Sequence, residues 1–271
     1  MRPMLGLDIR KISLAILDVI LGFQEWRLWH FMAWQEIKQR YRRTVLGPFW
    51  QSMNMAVQMA IIGLLLGYLF GMNFGKFLPY VCGGFLVWGL YRNIIFEGTT
   101  ALLNSKGLIL QIKRPLSVYI FQIIWMNFIV FLHNIVVFFF VAFYYGIYPG
   151  LTYFILIASI PLCLISLAWV PLVLGTLSAR FRDVPMIIQS ILDALFWLTP
   201  VVFYLDQMGP KVALIFTYNP LTHYIALIRE PLLGGVPTVV NWAIVLLVGL
   251  VGWTITLLFY SRFRQRIPYW L

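Results

Sequence analysis

Residues 40–50 read RYRRTVLGPFW, and they mark where the first long apolar segment of the chain begins. Its three arginines stand directly before a segment that carries no charged side chain from Thr44 to Gly75. A helix needs about 20 apolar residues to cross the hydrocarbon core of a bilayer, so this segment is long enough to span a membrane. Basic residues at the mouth of a span also indicate the side of the membrane from which it starts.

The composition argues against a soluble domain. Of the 271 residues, 62% are hydrophobic and 11% are charged, whereas a soluble domain carries about 25% charged residues. The apolar runs are far longer than a membrane strand and show no alternation of polar and apolar residues. We therefore predict a single-domain, all-α integral membrane protein over residues 1–271.

The long apolar runs predict six transmembrane helices. They are residues 53–70, 78–91, 116–144, 152–178, 186–204 and 239–260, and the second either ends at Tyr91 or continues to Phe96. With these spans, 17 of the 20 lysines and arginines fall on one side of the membrane and three on the other. The positive-inside rule then places both termini in the cytoplasm. The net charge of +11 is thus explained by membrane topology, without nucleic acid.

Two cytoplasmic segments are predicted outside the spans. Residues 24–43 predict an amphipathic helix for the inner headgroup plane, and the alternative is a surface helix packed on the bundle. Its stripe comprises Trp26, Trp29, Ala33, Trp34, Ile37 and Tyr41. Residues 99–115 place a short apolar patch between turn-forming and basic residues, which fits either a docking element for a soluble partner or a plain helical connector.

The third segment, residues 206–237, is predicted on the external side. It contains two apolar runs that are too short to span, broken at Asn219-Pro220 and Glu230-Pro231. Proline removes a backbone donor and disfavours helix at the residue before it. Two short helices that dip into the outer leaflet or fold over the bundle would fit this pattern.

Sequence motifs for chemistry within this chain are absent. No Gly-x-x-x-x-Gly-Lys-Ser/Thr phosphate-binding loop occurs, so ATP hydrolysis is not expected here. Histidines, cysteines and acids show no metal-ligand spacing, and we expect no metal and no cofactor in this chain. Cys82 and Cys163 lie inside apolar segments and are predicted to be buried thiols.

Two features inside the spans suggest contacts between helices. Gly63, Gly67 and Gly71 repeat every four residues, which favours the close approach of another helix. Asp193 lies within the fifth predicted span, where an acid costs roughly 2.5–3.5 kcal/mol on insertion scales. Such a residue lines an aqueous path or forms a structural hydrogen bond, and the sequence leaves both open.

The sequence from Arg40 to Trp50 resembles the entry to the first span in permease subunits of type-2 ABC exporters, in the branch that exports O-antigen and capsule polysaccharides. Residues 179–184, ARFRDV, resemble the family's turn between the fourth and fifth spans. Residues 218–221, YNPL, with Arg229 resemble its segment before the last span. The resemblance covers residues 24 to 260 in order, and Thr44–Pro48 departs from the capsule-type pattern towards the O-antigen type.

The resemblance implies a homodimer in the bacterial inner membrane, two separate ATPase subunits that hold ATP and Mg²⁺, and a polyprenyl-diphosphate-linked polysaccharide as substrate. It implies that residues 24–43 form an interface helix, 99–115 a coupling helix and 206–237 re-entrant helices. Arg40, Arg42 and Arg43 become candidates for binding the diphosphate or for anchoring the helix. Candidates for ATPase coupling are Asn104, Lys106, Gly107, Leu108, Arg180, Arg182 and Asp183. Pore or packing candidates are Trp26, Trp29, Trp34, Tyr41, Asp193, Asn219 and Pro220.

Other functions remain open at this point. A type-2 exporter of capsule, teichoic acid, lipid or drug would share the same architecture. A membrane enzyme acting on polyprenyl phosphates would need clustered acids at the cytoplasmic face to hold Mg²⁺. That face offers only scattered acids such as Glu97 and Asp183, which disfavours the enzyme.

Overall fold

A computed structural model describes residues 9–43, 47, 49–205 and 208–271. Several predictions lie outside the described residues: Arg2 of the charge count, residues 44–46 and 48 of the opening motif, and Asp206 of the external segment. Across the described ranges the regular secondary structure is helical, without strands. The prediction of an all-α chain is confirmed.

The helices follow one another with short connections. They are α1 (Ile9–Gln24), α2 (Trp26–Arg40), α3 (Phe49–Leu69), α4 (Phe74–Asn104), α5 (Lys106–Gln111), α6 (Ser117–Tyr144), α7 (Phe154–Leu167), α8 (Trp169–Arg180), α9 (Val184–Trp197), α10 (Pro210–Tyr218), α11 (Pro220–Leu232), α12 (Val239–Phe263) and α13 (Ile267–Trp270). Short 3-10 helices cover Leu151–Tyr153 and Arg264–Arg266.

Four helical stretches of the described chain are long and apolar enough to cross a membrane. They are Phe49–Leu69, Ser117–Tyr144, Leu151–Arg180 and Val239–Trp270, and they coincide with the first, third, fourth and sixth predicted spans. The chain is therefore a multi-pass membrane protein. The other two predicted spans fall on α4, which is 31 residues long, and on α9, which is apolar but has 14 residues.

Helix α4 is the centre of the bundle and packs against α3, α6, α8, α9 and α11. Its start is capped by Asn73, whose side-chain oxygen accepts the N–H of Gly75 at 2.9 Å. Twenty of its residues are buried. The helix continues beyond both predicted ends, Tyr91 and Phe96, because its polar residues there share one face and leave the buried face apolar. The predicted segment 99–115 therefore begins inside α4, and only its second half is the separate helix α5.

Small residues let the helices approach closely. Gly63 and Gly67 are buried against α4, where an added Cβ would lie 2.7 Å from Leu78 and 2.5 Å from Phe74. This agrees with the packing role predicted for the glycine repeat, except that its third member, Gly71, occupies a turn with φ +60°. Helix α4 also crosses α8 closely, since a Cβ on Gly98 would lie 2.3 Å from Cβ of Pro171.

Helix α1 was not predicted from the sequence. It turns the carboxylate of Asp18 inward, where this side chain is 2% exposed. The carboxylate accepts the N–H groups of Leu116 and Ser117 at 3.3 and 3.2 Å, the hydroxyl of Tyr260 at 3.0 Å and Nε of Arg264 at 2.8 Å. One buried acid therefore ties α1 to the start of α6 and to the end of α12.

Candidate functional site

The basic junction lies at the end of α2, and Arg40 is already paired there. Its Nη1 donates to Oε1 of Glu97 at 2.8 Å, and its Nη2 lies 3.5 Å from Oε1 of Glu36. Burial lowers the pKa of the Arg40 guanidinium, but the two acids outweigh burial and the pKa is raised. Arg40 is a fixed cation that holds α2 against α4.

The same two acids also bind α6. Oε2 of Glu36 accepts Nε2 of Gln122 at 2.7 Å, and Oε2 of Glu97 accepts Nδ2 of Asn127 at 2.7 Å. Each acid therefore links Arg40 to an amide on α6. This network of charge-assisted hydrogen bonds joins α2, α4 and α6 at one level of the bundle.

The next residues of the junction differ from Arg40. Arg42 and Arg43 are exposed, and their side chains make no hydrogen bond or ion pair with the described residues. Arg43 has φ +68°, a conformation that is uncommon outside glycine. Between them and Arg40, the hydroxyl of Tyr41 donates to Oε1 of Gln51 at 2.8 Å. Partial burial raises the pKa of Tyr41, against the opposing effect of Arg40, so the hydroxyl keeps its proton.

A polar cleft of about 600 Å³ opens beside this junction, between α3, α4, α6 and α9. Its lining combines amides, one ion pair, aromatic rings and a few small or aliphatic groups. The lining residues are Gln51, Asn54, Met55, Gln58, Ile62, Phe85, Trp88, Gly89, Arg92, Asn93, Asn134, Asp193, Phe196 and Trp197. Gln51 belongs to the lining and also binds Tyr41, so this end of the cleft, here called its mouth, lies next to the basic junction.

Helix α3 contributes three amides to the cleft that sequence reasoning missed. Gln51, Asn54 and Gln58 are spaced by three and four residues and therefore share one face of the helix. They extend for about 10 Å along the axis at 1.5 Å per residue. The sequence contains this signal as a polar stripe in an otherwise apolar run, but the average hydropathy of the run conceals it.

Asp193 and Arg92 form an ion pair on the cleft wall. Nη2 of Arg92 lies 3.1 Å from Oδ1 of Asp193, and the two side chains are 32% and 58% exposed. Asp193 had been singled out from the sequence with two roles left open. The structure places it against the cleft and gives it a salt-bridge partner on α4.

Aromatic rings form the rest of the α4–α9 wall. Phe196 contacts Phe85 at 5.5 Å and Trp88 at 5.8 Å between ring centroids. Trp197 lies 5.2 Å from Phe196 and is 58% exposed. Amide groups donate and accept hydrogen bonds, and an aromatic face can stack on the C–H-bearing face of a sugar ring.

The aromatic residues predicted on α2 separate into two groups. Trp29 packs on α6, with its ring 5.6 Å from that of Trp125. Trp26 and Trp34 are 56% and 43% exposed, with Arg27 and Lys38 above their rings. Neither tryptophan lines the cleft, and Tyr41 reaches it only through Gln51.

The candidates for ATPase coupling meet at one end of the molecule. Helix α5 has no buried residue, and Asn104, Lys106, Gly107 and Leu108 are all exposed. The turn that carries Arg180, Arg182 and Asp183 is exposed as well. Helix α13, which the sequence did not predict, contacts both α5 and α8, and Arg180 lies 5.5 Å from the Trp270 ring.

The residues predicted near the last span serve as connections in the structure. Asn219 caps α11 by accepting the N–H of Leu221 at 3.0 Å, and its amide donates to the carbonyl of Leu198 at 2.8 Å. Pro220 is the first residue of α11.

Arg229 is 4% exposed, donates to the carbonyl of Pro200 at 2.6 Å and lies 3.8 Å above the Tyr80 ring. The bonds to Leu198 and Pro200 fasten α11 to the segment after α9, and the Tyr80 contact joins it to α4.

Metal-binding groups are not assembled in the described part of the chain, where no three histidines, cysteines or acids come together. Cys82 and Cys163 are buried free thiols.

Comparison with known proteins points to transport. The sequence model of a family described as ABC-2 type transporter matches residues 27–233. An O-antigen export system permease protein RfbA from Klebsiella pneumoniae is 22% identical over 232 residues, which cover 85% of this chain and 88% of that protein. A protein of the same name from Myxococcus xanthus is 25% identical over 227 residues, covering 77% of this chain and 86% of its own.

Proposed function

This chain belongs to the ABC-2 type transporter family, and on that premise we propose that it is the permease subunit through which an O-antigen-type polysaccharide, linked to polyprenyl diphosphate, leaves the cytoplasm. The ATPase of such an exporter is a separate subunit. The observation that carries the proposal is the polar cleft, which combines amides with aromatic rings and opens beside unpaired arginines. The amides and aromatic rings would bind the sugar rings inside the cleft, and the arginines would bind the charged headgroup outside it.

The proposed topology has six spans and both termini in the cytoplasm of the inner membrane. Helix α4 supplies the second span, and α9 with residues 198–204 supplies the fifth. Support comes from the distribution of basic residues, which puts 17 of 20 on one side for this span count. The coupling candidates and the basic junction then face the cytoplasm together.

Arg42 and Arg43 are proposed to hold the diphosphate. Both are exposed and have no partner among the described residues, and guanidinium groups bind phosphate oxygens in pairs. Arg40 can bind the diphosphate only after its ion pair with Glu97 breaks, since that pair occupies its guanidinium group. While it is paired with Glu97, Arg40 anchors α2 at the mouth of the cleft.

The subunit is proposed to act as a homodimer. Asp193 and Trp197 are both 58% exposed on the cleft wall, and a polar wall open to lipid is costly. A second copy facing the first would cover it and enclose a polar path. Helices α10 and α11 are proposed to be the re-entrant pair on the external side, held by the Asn219 and Arg229 contacts.

Two separate ATPase subunits are proposed to dock where α5, the 180–183 turn and α13 meet. The apolar side chains of Leu108, Leu110 and Ile112 are exposed there, next to the basic Lys106, Lys113 and Arg182. This end offers an apolar patch with a cationic border to a soluble partner.

Filling the cleft tests the proposed path. Gly89 lines the cleft, and a Cβ at this position would have no neighbour within 4 Å. Gly89→Trp is expected to abolish surface polysaccharide, while the protein stays in the membrane and copurifies with its ATPase. Gly150→Trp is the control, because Gly150 also has open space but lies outside the cleft. Normal export by Gly89→Trp would exclude the cleft as the path.

The headgroup site needs its own variant. Arg42→Gln with Arg43→Gln is expected to lower export at least about tenfold and to leave lipid-linked glycan accumulating inside the cell. Lys76→Gln with Lys211→Gln removes the same charge from exposed positions on the other predicted side and should export normally. If both double variants export normally, Arg42 and Arg43 do not hold the diphosphate.

A further inference from the structure

We propose that the polysaccharide carried by this chain is uncharged, and that the Arg92–Asp193 ion pair excludes glycans bearing acidic sugars. This inference rests on the proposed function and adds a substrate class to it. Arg92 and Asp193 are the only charged side chains among the described residues that line the cleft. They lie 3.1 Å apart, so the cleft wall carries no net charge.

The neutral part of the lining suits hydroxyl and N-acyl groups. Five amide side chains face the cleft, from Gln51, Asn54, Gln58, Asn93 and Asn134. An amide presents both a donor and an acceptor, which matches a sugar hydroxyl in either role. A carboxylate accepts hydrogen bonds but donates none, so it can pair only with the donor half of each amide.

The arginine of the cleft is not available to an anion. Arg92 donates to Asp193, whose carboxylate is the more exposed member of the pair at 58%. An acidic sugar that approached Arg92 would meet the Asp193 carboxylate first. Like charges a few ångströms apart repel, and an anion that loses water without gaining a cationic partner is disfavoured.

The unpaired cations lie at the mouth, not inside. Arg42 and Arg43 are exposed beyond Tyr41, and Arg40 is saturated by Glu97 and Glu36. The positive charge is thus placed where the diphosphate of the carrier would stay, while the sugar chain meets a neutral surface. This separation matches a substrate with a charged head and an uncharged chain.

A comparison of export between two defined substrates tests the inference. The permease is expressed with its ATPase in cells that lack their own exporter and make one of two polyprenyl-diphosphate-linked glycans, one uncharged and one with a hexuronic acid in each repeat. The readout is surface glycan divided by lipid-linked glycan inside the cell. The wild type is expected to favour the uncharged glycan at least about tenfold.

Variants assign the selectivity to the ion pair. Asp193→Asn leaves Arg92 unpaired and should raise the acidic-to-uncharged export ratio about tenfold. Arg92→Gln leaves the acid and should keep the acidic glycan excluded. Glu25→Gln is the control, because it unpairs Arg114, which also forms a 2.8 Å bridge but lies outside the cleft, and it should not change the ratio.

The outcomes distinguish an error in the proposed charge selectivity from an error in the proposed function. Equal export of both glycans by the wild type overturns the inference and leaves the proposed function intact. An unchanged ratio in Asp193→Asn overturns the role of the ion pair, since a misfolded variant would lose both glycans together. Export of neither glycan by the wild type overturns the proposed function, and the inference with it.

Discussion

Replacing Gly98 by alanine is expected to loosen the crossing of α4 and α8, the tightest contact of the central helix. The new Cβ would lie 2.3 Å from Cβ and 2.8 Å from Cα of Pro171, whereas carbon atoms pack at about 3.5–4.0 Å. Pro171 has a rigid ring and one of the clashing atoms is backbone, so no side-chain rotation relieves the overlap. The two helices must separate by about 1 Å, which forfeits a quarter to a half of each contact's dispersion energy.

The size of the effect follows from two opposing terms. Forcing a methyl group into a packed interior costs about 1–3 kcal/mol, and a separation along a whole helix crossing lies at the upper end of that range. Alanine regains about 1 kcal/mol over glycine through helix propensity. The net loss is about 2 kcal/mol, equivalent to a drop of about 4–8 °C in melting temperature for a chain of this size.

Gly89→Ala provides the matched control within the same helix. Its Cβ meets no atom within 4 Å, so only the propensity gain remains and the melting temperature should stay equal or rise. Unfolding of the detergent-purified protein can be followed with a thiol-reactive dye, because Cys82 and Cys163 are free and buried. Equal melting temperatures for the two alanine variants would refute the argument that the α4–α8 crossing depends on a missing side chain.

Three further variants test single contacts. Asp18→Asn should destabilise the protein by about 2–3 kcal/mol, because a buried carboxylate loses its charge-assisted bonds to backbone and to Arg264; an unchanged melting temperature would contradict this. Arg229→Lys should lower the free energy of unfolding by about 1–2 kcal/mol, because a lysine ammonium cannot both stack on the Tyr80 ring and donate to the carbonyl of Pro200, as the planar guanidinium does. Limited proteolysis should then cut near α11. Tyr41→Phe should leave the free energy of unfolding within about 1 kcal/mol of wild type but slow export, because Gln51 at the mouth of the cleft loses its donor; an unchanged export rate would separate this bond from transport.

The helices that cross the membrane were predictable because long apolar runs carry their own signal. The cleft was only partly so. Asp193 stood out as an acid in an apolar run, but its partner Arg92 is 101 residues away, and no local pattern joins them. The amides of α3 were hidden because the hydropathy of the run outweighs three polar residues on one face.

Two other elements escaped prediction for different physical reasons. Helix α1 is short and ends beside Glu25, so it resembled neither a span nor a capped surface helix, and its inward acid is explained only by tertiary contacts. The end of α4 was misplaced because Arg92 and Glu97 suggested a boundary. In the structure both are paired to other helices, which removes the cost of placing charge within the bundle.

The contact between Asp18 and Arg264 can form only after most of the chain has been synthesised. Its carboxylate is joined to Arg264, 246 residues further along the chain. At about 5–20 residues per second, a ribosome needs roughly 10–50 s to make the interval. The first helix therefore cannot be locked in place until the last one has been integrated. A truncated or stalled product therefore leaves the Asp18 carboxylate without its arginine partner.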